Sequence, residues 1–204
     1  MKLTREIMPE AHRHLRRVDP VLAEHLPRLR RCNLHLGHTP LFASLANAIV
    51  GQQLSTAAAR TIQGRVEIAT GNKPMRFDAI LKTNEASLRS AGLSRSKARY
   101  LKTLARAVDD GVLNFRSLAR QSDAVIIERL TALPGIGEWT AQMFLMFGLK
   151  RADTAAPGDL GLLKGMQALD NLGEKPSAEA FLKRSDCWRP FRSVACWYLW
   201  RLVE

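Results

Sequence analysis

Leu133-Pro134-Gly135-Ile136-Gly137 runs directly into Glu138-Trp139-Thr140-Ala141 and an apolar helical pattern, and Asp159 stands at the start of the next such pattern. Two kinds of chemistry are available in these residues. Glycines in a short turn between helices place no Cβ in the way of a close ligand. The N–H groups that open the second helix, from about Gly137 to Trp139, have no partner inside that helix and suit a phosphate oxygen. Gly-x-Gly alone also describes a plain turn; the Leu-Pro before it and the helix start directly after it favour the phosphate reading. Asp159 follows Pro157-Gly158. It can act as a helix cap, worth about 1 kcal/mol. As an ionised carboxylate it can also stabilise positive charge on a reacting group and orient a water. The two roles are compatible.

Such groups need a scaffold, and the composition provides for one. The chain has 204 residues, 46 % of them hydrophobic, enough for one large domain or two small ones. Its net charge of +12 suits a polyanionic partner, nucleic acid before an anionic membrane. No apolar run reaches the ~18–20 residues of a membrane span. The charged stretch from Met1 to Arg17 has no apolar core of a secretory signal. Cys32, Cys187 and Cys196 are too few and too scattered for a disulfide framework, so a reducing, intracellular compartment is expected. Cys32, His35 and His38 are evenly spaced, but a closed zinc site needs a fourth ligand, and they read as loop residues.

The periodicity is helical throughout, and no hairpin of strands is signalled. Phe42, Leu45, Ala46, Ile49 and Val50 share one helix face after Pro40, with Gly51 as the stop. Ser55 opens a helix to about Gly71 that turns Ala59, Ile62 and Val66 inward. Asn84 opens a short one ending near Gly92. Ser94 opens another with Ala98, Leu101, Ala105 and Val108 buried, and Ser122 opens one carrying Ile126 and Leu130. After the glycine turn, Trp139, Met143, Met146 and Phe147 fall on one side of a continuous helix. Further helices are predicted over 160–169, 178–182 and 194–202. Irregular pieces remain at 71–76, 151–158 and 171–176. The prediction is a compact all-α protein.

Several pieces occur together and in order: Ile49-Val50-Gly51-Gln52-Gln53-Leu54-Ser55, Gly92-Leu93-Ser94-x-x-Lys97, Leu133 to Ala141, Asp159, Trp188-Arg189-Pro190-Phe191-Arg192-Ser193, and Trp200. This combination resembles the helix-hairpin-helix DNA glycosylase superfamily, and within it the 3-methyladenine DNA glycosylase II group. The resemblance covers roughly residues 32 to 202. It implies a minimal form without the N-terminal β-rich domain of some members. It implies two helical lobes with the active site in the cleft between them. One is a six-helix lobe over 37–146 ending in the helix-hairpin-helix; the other is formed by 1–36 plus 147–204 and carries the catalytic aspartate.

The same resemblance implies the roles. Asp159 is the catalytic carboxylate. Trp139, Trp200 and Met143 line the base pocket, where indole faces suit cationic alkylated purines. By pattern alone Trp139 and Trp200 read rather as core tryptophans in helices. Gln53 is the wedge that fills the gap left by a flipped base. Gln52, Ser55, Lys97, Gly135, Gly137, Glu138 and Thr140 are the remaining DNA-binding positions, Ser55 reading also as a cap and Lys97 also as a solvated lysine. Bifunctional members carry a nucleophilic lysine where this chain has Trp139, which cannot form a Schiff base. The implied reaction is therefore hydrolysis of the N-glycosidic bond of 3-methyladenine or 7-methylguanine, leaving an abasic site without strand cleavage. Met143 and Gly158 depart from relatives that carry an aromatic and a second acid there, which leaves uracil, hypoxanthine or ethenoadenine as alternative lesions. A non-catalytic helix-hairpin-helix DNA-binding protein is the alternative from another class. No cofactor is required and no iron–sulfur cluster is implied. A structural Na+ or K+ on the carbonyls of Thr131, Leu133 and Gly135 is implied. The expected partner is double-stranded DNA containing damaged bases, bound by a monomer with no membrane attachment, in cytoplasm and nucleoid or in a nucleus.

Overall fold

The computed structural model describes residues 1–203, whose regular structure is helical apart from one isolated bridge between Lys2 and Arg151. The α-helices in chain order are α1 Met8–Val18, α2 Pro20–His25, α3 Leu41–Gly51, α4 Thr56–Thr70, α5 Phe77–Lys82, α6 Glu85–Ser90 and α7 Arg95–Asp109. They continue with α8 Phe115–Leu118, α9 Asp123–Thr131, α10 Glu138–Met143, α11 Leu160–Leu169, α12 Ala178–Ser185 and α13 Arg192–Leu202. None is long and apolar enough to cross a membrane. The chain divides into two compact units. One is Thr39–Phe144; the other joins Met1–His38 to the chain from Leu145 onward.

The continuous unit is organised on α3. Phe42, Ala43, Leu45, Ala46, Ile49 and Val50 are all buried, so this helix is covered nearly all round, by α4, α7 and α10 among others. Its neighbours begin at side-chain caps. Ser55 Oγ accepts from the Ala58 N–H, Asn84 Oδ1 from Ser87, Ser94 Oγ from Lys97 and Ser122 Oγ from Val125. Each such cap is worth about 1 kcal/mol. The short helices α5 and α8 are additions to the sequence reading, with too few residues to show a period.

The discontinuous unit contains helices that the sequence reading also passed over. Met8, Ala11 and Leu15 form the buried stripe of α1 at helical spacing, although charged residues surround them. Asp19 caps α2 through the Leu22 N–H and is itself buried. Its other oxygen accepts from Trp188 Nε1 at 2.6 Å and pairs with Arg184 at 2.8 Å. Arg184 also forks onto Asp170. A buried charge is tolerable only when satisfied in this way. The network therefore fastens the N-terminal segment to residues more than 150 positions away, beyond any local signal. α11 and α13 pack closely; a Cβ at Gly165 would run into the Leu199 backbone.

One predicted helix needs correction. After Met143 the chain widens into a π-helix over Phe144–Gly148. Met143 and Met146 are buried, whereas Phe147 is 39 % exposed, so the four residues read as one face do not share one environment. The wider turn rotates Phe147 out of the α-helical register.

Candidate active site and nucleic-acid interface

The glycine turn has two differently used glycines. Gly135 has φ +84°, and a Cβ there would collide with the Tyr100 ring, so the fold itself requires glycine. Gly137 is extended at φ −90°, with no atom within 4 Å of a Cβ built on it. Nothing inside the protein demands glycine at 137. It is also the N-cap of α10 without a side-chain cap bond, so the opening N–H groups of α10 are not covered by its side chain. Glu138 begins α10, and its Oε1 accepts from Gln142 Nε2 at 2.9 Å. A phosphate contact at 138 would therefore come from the backbone.

Three residues expected on DNA face inward instead. Gln52 Nε2 donates to the Gly135 carbonyl and to Thr140 Oγ1, each at 2.9 Å. Thr140 is buried at 2 % exposure, so its hydroxyl belongs to this internal network. Lys97 Nζ donates to the carbonyls of Val50 at 2.9 Å and Gln52 at 2.6 Å. It thus satisfies the orphan carbonyls at the C-terminus of α3, where a cation also meets the negative helix end. Burial holds the Lys97 ammonium below its ordinary pKa. The physical reason for all three departures is the same: their partners lie 45 to 88 residues away and are invisible to spacing.

The residue braced by this network is Gln53. It is exposed and sits at φ +57°, left-handed backbone that a non-glycine residue rarely adopts. Such strain of about 1–3 kcal/mol persists where the surroundings over-determine it. Lys97 and Gln52 supply that determination from both sides of the turn. Ser55, two residues on, caps α4 and remains exposed.

In the other unit, Asp159 caps α11. Its Oδ1 accepts from the Leu162 N–H at 2.8 Å and from Trp200 Nε1 at 2.9 Å. The Trp200 ring stacks on Phe147 with centroids 5.6 Å apart and planes 27° from parallel. A Cβ at Gly161 would come within 2.9 Å of Trp200 Cδ1 and 3.0 Å of Asp159 Oδ1, so this glycine makes room for the pair. Phe147 and Gly161 were missed as site residues; the π-helix that presents Phe147 leaves no sequence signal. Leu160 beside them is 53 % exposed, an apolar side chain held at the surface.

The tail motif explains how the loop before Asp159 is held. Ser193 Oγ donates to the Arg151 carbonyl and accepts from the Thr154 N–H. Arg192 Nε and Nη2 fork onto Asp153 at 2.7 and 3.1 Å, and Arg189 reaches its Oδ2 at 2.9 Å. Burial alone would raise the Asp153 carboxyl, but the Arg192 hydrogen bonds hold it below the ordinary carboxylate range. Asp153 is thereby a clamp on 151–154, while Asp159 projects from the end of that loop.

Trp139 is partly exposed at the second position of α10, and Met143, one turn on, is buried at 6 % exposure. The carbonyls expected to hold a monovalent cation are partly engaged. Leu133 accepts from the Ile136 N–H and Gly135 from Gln52, leaving each a second lone pair, so the oxygen donors suit such an ion. Burial pushes the thiols of Cys32 and Cys196 up to about 12, keeping both protonated. Among the described residues no His, Cys, Asp and Glu side chains gather as a metal site, Cys32, His35 and His38 included.

A glycine-turned hairpin in one unit and a capped, indole-bonded aspartate in the other, on an all-α scaffold, define a class. Residues 46–190 match the family described as HhH-GPD superfamily base excision DNA repair protein, and the chain belongs to it. Among its relatives, DNA-3-methyladenine glycosylase 1 of Schizosaccharomyces pombe is 34 % identical over 162 residues, covering 78 % of this chain and 71 % of that protein. DNA-3-methyladenine glycosylase of Saccharomyces cerevisiae is 32 % identical, covering 80 % of this chain and 67 % of that one. A solved structure of the Schizosaccharomyces pombe 3-methyladenine DNA glycosylase in complex with abasic DNA superposes with a TM-score of 0.80, at 29 % identity, covering 94 % of this chain and 95 % of that one.

Proposed function

We propose that this protein is a monofunctional DNA glycosylase that removes alkylated purines such as 3-methyladenine and 7-methylguanine from double-stranded DNA and leaves an abasic site. The observation that carries the reading is the Asp159 carboxylate, fixed at a helix N-terminus by the Leu162 N–H and Trp200 Nε1 beside the Phe147–Trp200 stack. Loss of the base builds positive charge on the deoxyribose, and a preorganised carboxylate stabilises that charge and orients water toward it. Two hydrogen-bond donors and the positive end of the α11 dipole meet this carboxylate and hold it in place. The aromatic faces suit a cationic base, which is already a good leaving group and needs little acid assistance.

Backbone N–H groups at Gly137 and the start of α10 take a DNA phosphate, and the carbonyls of Thr131, Leu133 and Gly135 would hold a monovalent cation that adds positive charge there. Gln53 fills the space of the extruded nucleotide from its left-handed turn. Trp139 supplies no amine, so the reaction ends at base release. Base release from methylated DNA, measured beside uracil and hypoxanthine duplexes and with strand products monitored, tests the reading. Asp159→Asn is expected to lower release at least 100-fold while duplex binding persists. Release at the original rate would remove Asp159 from the chemistry, and a protein inert on every lesion would leave only DNA binding.

A further inference from the structure

A second candidate site lies in the discontinuous unit, on residues that the proposed glycosylase reaction does not use. α1, the segment from Leu26 to Arg31, and Tyr198 enclose a cavity of about 450 Å3. His12, Arg13, Arg16 and Arg31 line it, and no carboxylate does. Leu26, Pro27 and Leu29 give it an apolar wall. The volume falls in the range of small-ligand pockets.

The arginines, all three solvent-exposed, carry the charge of the lining. Elsewhere in this unit Arg184 is matched to Asp19 and Asp170, and Arg189 and Arg192 to Asp153. Arg13, Arg16 and Arg31 have no hydrogen bond or ion pair among the described residues, and they come from two separate elements. Burial is the main reason that His12 is held below and Tyr198 above their ordinary values; the fields of Arg16 and Arg31 reach both groups, adding to the first shift and opposing the second. Like charges gathered around one cavity without a counter-charge raise the free energy of the empty site, and an anion removes that repulsion. The polar floor is ordered. Tyr198 Oη accepts from the Cys32 N–H at 3.3 Å and shares a hydrogen bond with His12 Nε2 at 2.8 Å.

We propose that this cavity binds a phosphate-bearing ligand of nucleotide size, with the guanidinium groups on the phosphoryl oxygens and the Leu26–Leu29 wall under the organic part. One planar carboxylate is satisfied by a single arginine fork, whereas three guanidinium groups from two directions match the several oxygens of a phosphoryl chain. The shared chemistry has two sources, a free nucleotide or a phosphate of DNA itself.

The test uses the full chain with adenosine 5′-triphosphate as probe, followed by calorimetry and by the His12 imidazole resonances. The expected result is saturable binding that shifts the His12 signals. Arg16→Gln with Arg31→Gln weakens it tenfold or more, whereas Arg28→Gln with Arg30→Gln, which removes the same charge outside the cavity lining, leaves it within twofold. Displacement of the nucleotide by an undamaged duplex, with duplex affinity lowered in the Arg16/Arg31 variant, assigns the site to DNA phosphate; nucleotide binding unaffected by duplex assigns it to a free nucleotide. Equal weakening by both variant pairs, or no saturable binding of nucleotide, overturns the proposal. The Asp159→Asn variant must behave as the parent protein in this assay, so the outcome is separate from that of the glycosylase reading.

Discussion

At the scale of single residues, the two hairpin glycines make opposite demands. Gly135→Ala puts a Cβ into the Tyr100 ring at positive φ. It should cost roughly 2–4 kcal/mol of stability, combining backbone strain with overpacking, and thermal unfolding will show it. Gly137→Ala meets no protein atom. Its melting temperature should stay near the parent value while duplex affinity falls, if the new methyl group stands where the proposed phosphate contact would form. A loss of stability at 137 equal to that at 135 would remove the argument that 137 serves an external partner. Trp200→Phe keeps an aromatic ring against Phe147 but deletes the Nε1 donor to Asp159. A hydrogen bond to a charged group is worth about 1.5–3 kcal/mol, so base release should slow roughly 10- to 100-fold. An unchanged rate would show that this bond does not orient the carboxylate.

At the scale of elements, the turn after α3 is held from both sides. If Lys97 contacted phosphate, Lys97→Met would reduce the slope of log affinity against log salt by about 1. Its ammonium instead closes the α3 carbonyls. The expected result is therefore an unchanged salt slope, with lower stability and weaker binding to an abasic duplex. Asp153 gives a pH-dependent counterpart. Its folded pKa is depressed, so its contribution is present above the ordinary aspartate value near ~3.9 and is lost as pH falls through the lower folded value. Asp153→Asn should cost on the order of 2 kcal/mol at neutral pH, and the gap from the parent protein should close progressively below about pH 4. A gap that does not narrow as pH falls below that value would mean that the charge is not what the clamp uses.

The elements also show what was legible in the chain. Caps at Ser55, Asn84, Ser94 and Ser122 were readable because a cap and its acceptor lie within one turn. α1 escaped notice because its buried stripe is only three side chains set among arginines and histidines. The family motifs name the residues of the candidate site, but the contacts among them are not legible in one dimension. Trp188, Arg189, Arg192 and Ser193 enter the sequence reading only as a tail motif with no role assigned, yet they fasten Asp19 and the 151–154 loop. The inward bonds of Gln52 and Lys97 were not legible either, since a short sequence window cannot contain a partner 45 residues distant.

At the scale of the molecule, a net charge of +12 predicts that duplex affinity falls steeply with salt. Titrations between 50 and 200 mM salt that show no dependence would count against a phosphate-led interface. The arrangement of the chain has one more consequence. The Thr39–Phe144 unit is continuous, whereas the helices that precede it are completed by α11, α12 and α13 at the far end of the chain. During synthesis the first unit can close early. The apolar stripe of Met8, Ala11, Leu15 and Leu22 must wait until the tail emerges, roughly 10–30 s later at ribosomal speeds of about 5–20 residues per second. That waiting interval, rather than the finished protein, is when this chain is most open to capture by chaperones or to aggregation.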